Sequence, residues 1–145
     1  MRADFYLLSQ GTVETALPRI AKSARNAGER MLVVSGDAAQ REALDRALWE
    51  QLPEEFLAHG SADAPHAERQ PLLLSDRCEA ANGAKFIALA DGHWRDEALD
   101  FERAFLFVDQ ATIAAARTCW SELGKREAVE RRFWKQEGGR WVEGP

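Results

Sequence analysis

The sequence predicts a single α/β domain, residues 1–145, with a Rossmann-like, mostly parallel sheet, helices on both faces and a C-terminal β-hairpin. Strand-like apolar runs alternate with helix-like segments over about the first fifty residues, a pattern typical of right-handed crossovers between parallel strands. The run "RMLVVSG" is apolar almost throughout, like a parallel strand that is buried on both faces. Near the C-terminus, Gly138-Gly139 separates two short strand-like segments and predicts the hairpin.

The first half of the chain is predicted to form a strand, a helix, a second strand and a second helix, in that order. "DFYLL" predicts the first strand, and Val13–Ala27 predicts the first helix. Pro18 has to lie in or near the first turn of that helix, because deeper in the helix it would remove a hydrogen bond. The second helix follows "RMLVVSG" and ends before Pro53. The spacing of Asp37 and Gln40 predicts a reciprocal capping box at its start.

The second half supplies the remaining strands and a last helix. "EEFLAH", "PLLLSD", "KFIALA" and "RAFLFVD" are each predicted to be strands. Gly60–Gln70 is polar and is predicted to be an exposed loop. Asp109 or Thr112 is predicted to cap a helix that runs to about Leu123.

The C-terminal segment 133–143 predicts a hairpin with a type I′ turn at Gly138-Gly139. In that register Trp134 lies diagonally across from Trp141, so that both indoles share one face. An isolated hairpin is only marginally stable in water. We therefore expect the two indoles to dock the hairpin onto the body as a structural lid. The opposite face carries Lys135, Arg140 and Val142.

The charge pattern favours an acidic protein partner over nucleic acid. The net charge of −5 argues against binding of duplex DNA through its phosphates. Residues 111–145 carry seven basic and five acidic side chains, so this end is mildly basic on an acidic body. Cys78 and Cys119 form no CxxC motif and are expected to be free thiols in a reducing, cytoplasmic compartment. We expect neither a signal peptide nor a membrane span.

No pattern in the sequence predicts a catalytic residue, a metal or a cofactor. The two strand–helix turns, "SQGTVE" and "SGDAAQ", lack both common phosphate-binding glycine motifs. His59, His66 and His93 do not have metal-ligand spacing, and no serine lies in GxSxG. An alternative stays open, because open parallel sheets bind ligands beyond the carboxyl ends of their strands. The chain could be a small α/β nucleotide-binding or hydrolytic enzyme without a standard phosphate loop.

The last predicted helix carries a cation next to an aromatic ring. Ile113, Ala116, Trp120 and Leu123 recur at helical spacing and predict its inward face. Arg117 lies three residues before Trp120, so the two side chains are neighbours. An indole and a guanidinium together can hold a peptide that ends in an apolar residue and a carboxylate. The alternative is a core tryptophan covered by the stem of the arginine.

A second pair of aromatic residues flanks a corner of the chain. Trp49 ends the second predicted helix, and Phe56 follows Pro53. Aromatic side chains at such a corner serve as anchors for a partner protein when they are exposed. The alternative is that they pack against each other across the corner.

The order of these motifs resembles the family of the chi subunit of bacterial DNA polymerase III. The matching segments are "DFYLL", "RMLVVSGD" with "LDRALWE", "FLAHG", "ARTCWSELGKR" and "FWKQEGGRWVE". Ala58 stands where the family has a proline at the Phe-x-Pro-His corner. The resemblance implies a Rossmann-like adaptor without catalytic activity of its own, within the DNA-directed DNA polymerase III holoenzyme. Such an adaptor links single-stranded-DNA-binding protein to the clamp loader and associates with DNA only indirectly.

The resemblance also implies site residues. Family members bind the acidic C-terminal tail of single-stranded-DNA-binding protein, which ends in a Pro-Phe carboxylate, and the matching positions here are Arg117 and Trp120. Two basic positions of the family are Ile113 and Ser121 in this chain. The missing charge is expected from Lys125, Lys135, Arg126 or Arg132. The resemblance further implies that Trp49 and Phe56 face a second partner, the psi subunit or a helicase.

Overall fold

The computed structural model describes residues 1–9 and 11–144; Gln10, in the first predicted strand–helix turn, and Pro145 lie outside the described residues. The strands are β1 (Arg2–Leu7), β2 (Met31–Val34), β3 (His59–Ser61), β4 (Leu72–Ser75), β5 (Phe86–Leu89), β6 (Arg103–Val108), β7 (Glu130–Glu137) and β8 (Arg140–Glu143). The helices are α1 (Val13–Asn26), α2 (Ala38–Glu50) and α3 (Ile113–Leu123). Short 3₁₀ helices span Pro53–Glu55, Ala67–Arg69 and Asp96–Asp100.

Within the part of the chain that the structure describes, the strands form one eight-stranded sheet in the order β3-β4-β2-β5-β6-β1-β7-β8. All neighbouring strands are parallel except β7 and β8, which form the antiparallel C-terminal hairpin. The sheet carries helices on both faces: α1 and α2 bury their apolar sides against one face, and α3 buries its own against the other. The predicted α/β class with a mostly parallel sheet is therefore confirmed.

No helix within the described residues is long and apolar enough to cross a membrane. Cys78 and Cys119 are free thiols, and both are partly buried. Burial raises the pKa of the Cys119 thiol to about 11, with a further contribution from Asp96, and burial also raises the pKa of Cys78. Neither thiol is therefore a reactive thiolate near neutral pH.

The predicted strand over "EEFLAH" is wrong. Pro53–Glu55 forms a 3₁₀ turn, and Phe56 has a left-handed backbone with a φ of 48°, so the chain cannot run extended here. The third strand begins only at His59 and continues to Ser61. The predicted loop 60–70 therefore starts inside a strand, and it also contains the short 3₁₀ helix Ala67–Arg69.

Two local predictions about helix starts also need correction. Pro18 is the sixth residue of α1, beyond the first turn, and it is buried against the core. Asp37 does cap α2 by accepting the N–H of Ala39. The reciprocal half of the capping box does not form, because Gln40 instead donates to the carbonyl of Ala90 at 3.0 Å. The backbone N–H of Asp37 is satisfied by the hydroxyl of Ser35 at 3.1 Å.

The two indoles pack the C-terminal hairpin against the core, as predicted, and the hairpin also extends the sheet through β7, which the expected structural lid did not include. β7 lies parallel to β1, with Phe5 opposite Phe133 and Tyr6 opposite Trp134. The predicted hairpin register is confirmed, and Gly138 and Gly139 have the positive φ values, 57° and 78°, of a type I′ turn. The two indoles share one face, where Tyr6 packs against both at centroid distances of 6.2 Å and 4.9 Å.

A buried carboxylate connects the strands around β1. Asp4 has no exposed side-chain surface, and it accepts hydrogen bonds from Arg2, from Nε of Arg103 (2.8 Å) and from the indole N–H of Trp134 (2.9 Å). These donors come from β1, β6 and β7. Burial, with help from the Asp4 charge, raises the pKa of the neighbouring Tyr6 to about 12. The Asp4 carboxylate therefore holds β7 in place next to β1.

Replacement of Asp4 by alanine is expected to lower the free energy of unfolding by about 2–4 kcal/mol, because two guanidinium groups and an indole N–H lose a shared acceptor. Urea unfolding of the Asp4→Ala protein measures this loss. Asp76→Asn is the matched control, since it removes an exposed ion pair with Arg77 and should cost less than about 1 kcal/mol. Equal losses in the two variants would contradict this role for Asp4.

Candidate functional site

An open pocket lies where α3 crosses the sheet. Its volume is about 390 Å³, within the range of small-ligand sites. The helix supplies one side of the pocket, and the ends of β1, β6 and β7 supply the other. The lining residues are Phe5, Leu7, Val108, Ile113, Ala116, Arg117, Trp120, Ser121 and Phe133. The pocket is therefore mainly apolar, with a single charged side chain among its lining residues.

Local sequence fixes α3 in this position. Asp109 accepts the backbone N–H groups of Ala111 (2.9 Å) and Thr112 (3.0 Å) in the turn that precedes the helix. Of the two predicted capping residues, Thr112 occupies the N-cap position, but its side chain makes no capping hydrogen bond. Ala116 and Leu123 are buried under the helix, as the periodicity predicts. This apolar stripe therefore keeps the Trp120 side chain turned towards the sheet. Arg117, which follows Ala116 at the edge of the stripe, is exposed.

The indole of Trp120 forms a wall of the pocket and is partly buried. It meets Phe5 edge-on at a centroid distance of 5.2 Å and Phe133 edge-on at 6.3 Å. Trp94 stacks against Phe5 at 6.4 Å and extends the aromatic cluster beneath the pocket. Edge-to-face contacts of this kind stabilise a fixed ring orientation. The ring is thus neither enclosed in the core nor free on the surface.

Arg117 lies at the mouth of the same pocket. The side chain is exposed, and within residues 1–9 and 11–144 it has no hydrogen-bond or ion-pair partner. A guanidinium group without an internal carboxylate can form two parallel hydrogen bonds with an incoming carboxylate. The structure therefore brings Arg117 and Trp120 together around one cavity, with the charge at the opening and the ring inside.

The other basic residues named from the sequence lie outside this cavity. Lys125 follows the helix, is exposed and pairs with Glu122 at 3.2 Å. Lys135 lies two residues after Phe133 on the same face of β7, opposite Leu7, and pairs with Glu137 at 3.3 Å. Neither ammonium group lines the pocket. Arg126 is exposed beyond the helix end, and Arg132 lies on the opposite face of β7 in ion pairs with Glu130 and Glu143.

Arg131 lies next to the pocket but was not among the site residues predicted from the sequence. Its guanidinium carbon lies 4.4 Å from the centroid of the Trp120 ring, and its Nη1 donates to the Trp120 carbonyl at 2.8 Å. The two residues are eleven positions apart, in different elements. Alternation along β7 does place Arg131 on the same face as Phe133, but helical and strand periodicity cannot show which helix that face meets.

A second surface contains Trp49 and Phe56, with exposed fractions of 53% and 78%. Trp49 rests on His59 at a ring distance of 4.4 Å and borders a shallow hollow of about 580 Å³. The ring nitrogens of His59 bond to the carbonyl of Leu57 (2.7 Å) and the carboxylate of Asp45 (2.9 Å). Phe56 points outward, whereas Trp49 packs across the corner on His59 and leaves about half of its surface exposed.

A third hollow, of about 530 Å³, lies beyond the carboxyl ends of β2 and β5, where a nucleotide would be expected in this class of sheet. The carboxylate of Asp91 occupies its inner edge. It accepts the backbone N–H of Gly36 at 2.9 Å and pairs with both terminal nitrogens of Arg95 at 3.0 Å and 2.8 Å. An internal anion thus takes the donors that a phosphate would need, which argues against the nucleotide-binding alternative.

The environment of Asp91 predicts a pH dependence of stability. Burial opposes ionisation, but hydrogen bonds from Arg95 and from the amides of Gly36 and His93 outweigh it and lower the Asp91 pKa to about 2. A lowered folded pKa contributes stability above pH about 4, which is lost as the pH falls towards 2. Asp91→Asn should therefore cost about 1–2 kcal/mol near neutral pH and almost nothing near pH 2. Urea unfolding of both proteins across this range measures the difference, and a difference independent of pH would contradict the assignment.

These features define a small α/β domain with an apolar, cation-edged pocket. The model of the family described as "DNA polymerase III chi subunit, HolC" matches residues 1–131, and the chain belongs to this family of replication subunits. The chain is also similar to the "Probable DNA polymerase III subunit chi" of Rickettsia prowazekii (strain Madrid E), at 24% identity over 74 residues. That similarity covers 51% of this chain and 45% of the other protein, so the chain spans less than half the length of this relative.

Proposed function

We propose that this chain is a non-catalytic, cytoplasmic adaptor of the DNA replicase. It binds the acidic C-terminal tail of single-stranded-DNA-binding protein and links that protein to the clamp-loader complex. The observation that carries this proposal is the guanidinium of Arg117, which is unpaired among the described residues and lies at the mouth of a cavity walled by Trp120. Membership of the chi family supports the same function.

The pocket suits the chemistry of a peptide that ends in phenylalanine. The terminal ring enters the open cavity and packs against its apolar lining, which includes the indole of Trp120 and the rings of Phe5 and Phe133. The terminal carboxylate lies on Arg117, which forms charge-assisted hydrogen bonds with it. Both groups of the ligand are thus satisfied within one small site.

Acidic residues that precede the terminal phenylalanine meet the basic end of the chain. Lys135 on the pocket face of β7 and Lys125 beyond α3 are the ammonium groups proposed to attract them. Lys125 is exposed and Lys135 is partly exposed, so this attraction is weak at each site and is screened by salt. A contact limited to one small pocket and a few surface charges implies a dissociation constant on the order of micromolar. This constant rises with ionic strength, because salt screens the charges.

Arg117→Ala and Trp120→Ala are each expected to weaken binding of a synthetic acidic peptide ending in Asp-Pro-Phe by roughly ten- to a hundredfold. The first variant removes the carboxylate partner, and the second removes the apolar wall. Isothermal titration calorimetry measures both losses. Arg69→Ala, an exposed arginine in the 3₁₀ segment, is the control and should bind normally.

The same peptide with a C-terminal amide tests the carboxylate contact from the ligand side. The amide peptide should bind the wild-type protein about as weakly as the acid peptide binds the Arg117→Ala protein. The first complex lacks the carboxylate and the second lacks the guanidinium, so each has lost the same ion pair. An Arg117→Ala protein that binds the acid peptide with unchanged affinity refutes this site.

The surface around Trp49 and Phe56 is proposed to contact a second replication partner, the psi subunit or a helicase. Phe56 supports this most directly. Its backbone φ of 48° costs on the order of 1 kcal/mol or more for a residue with a side chain, yet its ring is 78% exposed. The chain thus keeps an outward aromatic ring where neither backbone nor packing favours it. Such a residue is typical of an interface anchor.

Phe56→Gly and Trp49→Ala should each reduce capture of psi, other clamp-loader subunits or a helicase by a tagged copy of this chain. Phe56→Gly removes the ring and relieves the left-handed backbone, so its free energy of unfolding should stay within about 1 kcal/mol of wild type. Mass spectrometry of captured proteins, with urea unfolding, measures both. Arg117→Ala is the control that keeps this partner, and unchanged capture by both aromatic variants would exclude the surface.

A further inference from the structure

Arg131 contacts Trp120 at two points. The guanidinium carbon lies over the indole at 4.4 Å from the ring centroid, and Nη1 donates to the backbone carbonyl of the same residue at 2.8 Å. One side chain on β7 therefore holds both the ring and the backbone of one residue on α3. A cation over an indole face is the favourable geometry for attraction to the ring.

Gly124 provides the space for this contact. A Cβ atom at this position would lie 2.7 Å from Nη1 and 2.8 Å from Cζ of Arg131, closer than real Cβ atoms approach. The backbone of Gly124 is right-handed helical, with φ of −63° and ψ of −19°, so its conformation does not require glycine. A side chain at this position would have to displace the Arg131 guanidinium from its place over the indole.

The contact fixes the orientation of the pocket wall. Phe5 and Phe133 meet the Trp120 indole edge-on, and the guanidinium covers one of its faces. The bonded carbonyl lies in the last turn of α3, where the helix carries partial negative charge. The guanidinium offsets that charge beside a pocket proposed to receive a carboxylate. Arg131 itself is not among the residues that line the cavity.

We propose that Arg131 is a positioning residue of the pocket: it holds the Trp120 indole as a rigid wall for the peptide's terminal ring, and Gly124 keeps the space that this requires. The proposal rests on the proposed function, since the wall matters only if a ligand uses it. Arg131 acts through Trp120 and does not contact the ligand. A planar guanidinium is needed, because the ammonium of a lysine cannot stack on the ring and bond the carbonyl in the same way.

Peptide affinity in a set of variants tests the proposal. Arg131→Met, Arg131→Lys and Gly124→Ala should each weaken the Asp-Pro-Phe peptide roughly five- to tenfold, since each displaces or removes the stacked guanidinium. Arg131→Met combined with Gly124→Ala should lose no more than either alone, because both changes break one contact. Arg132→Met, the next residue of β7 on the opposite face, is the matched control and should bind normally.

A second measurement needs no peptide. The indole N–H resonance of Trp120, assigned with a Trp120→Phe protein, should shift or broaden in Arg131→Met and in Gly124→Ala but stay unchanged in Arg132→Met. The positioning role is overturned if the affinity losses of Arg131→Met and Gly124→Ala add up in the combined variant, or if Arg131→Lys binds the peptide fully. It is also overturned if the Trp120 resonance does not move in either Arg131→Met or Gly124→Ala. A wild-type protein that binds no peptide overturns the proposed function instead, and the resonance then decides the role of Arg131 by itself.

Discussion

The buried carboxylate of Asp4 determines where the C-terminal strand lies, and the pocket depends on that placement. Asp4 accepts hydrogen bonds from Arg103 on β6 and from the indole of Trp134 on β7. Because side chains alternate along a strand, fixing Trp134 on one face puts Phe133 and Arg131 on the other. A shift of one residue in the pairing of β7 with β1 would exchange the two faces of β7. Phe133 and Arg131 would then no longer lie on the side of the pocket.

The pocket and the Trp49–Phe56 surface belong to different parts of the molecule. The pocket is built by α3 with the ends of β1, β6 and β7, whereas Trp49 lies on α2, which packs against the opposite face of the sheet. The partners proposed for these two surfaces could bind at the same time, as the proposed adaptor role requires. In the crevice that often binds nucleotides in such sheets, the Asp91 carboxylate instead takes the hydrogen-bond donors of Arg95 and Gly36.

Periodicity was sufficient to predict the elements whose pattern is local. The inward stripe of α3 and the hairpin register followed from spacing alone, and so did most of the parallel strands. The run "EEFLAH" was misleading because the left-handed backbone of Phe56 breaks an extended chain. The pairing of β7 with β1, and with it the contact between Arg131 and Trp120, joins distant parts of the sequence and has no local signal.

The central claim is that a terminal phenylalanine and its carboxylate share one site on α3. A crystal structure of the chain with a bound acidic peptide ending in Asp-Pro-Phe tests it most directly. Our account predicts the terminal ring in the cavity beside Trp120 and Phe5, with the carboxylate within hydrogen-bond distance of Arg117. A peptide seated on the Trp49 surface, or one whose terminal ring lies outside the cavity, would contradict it.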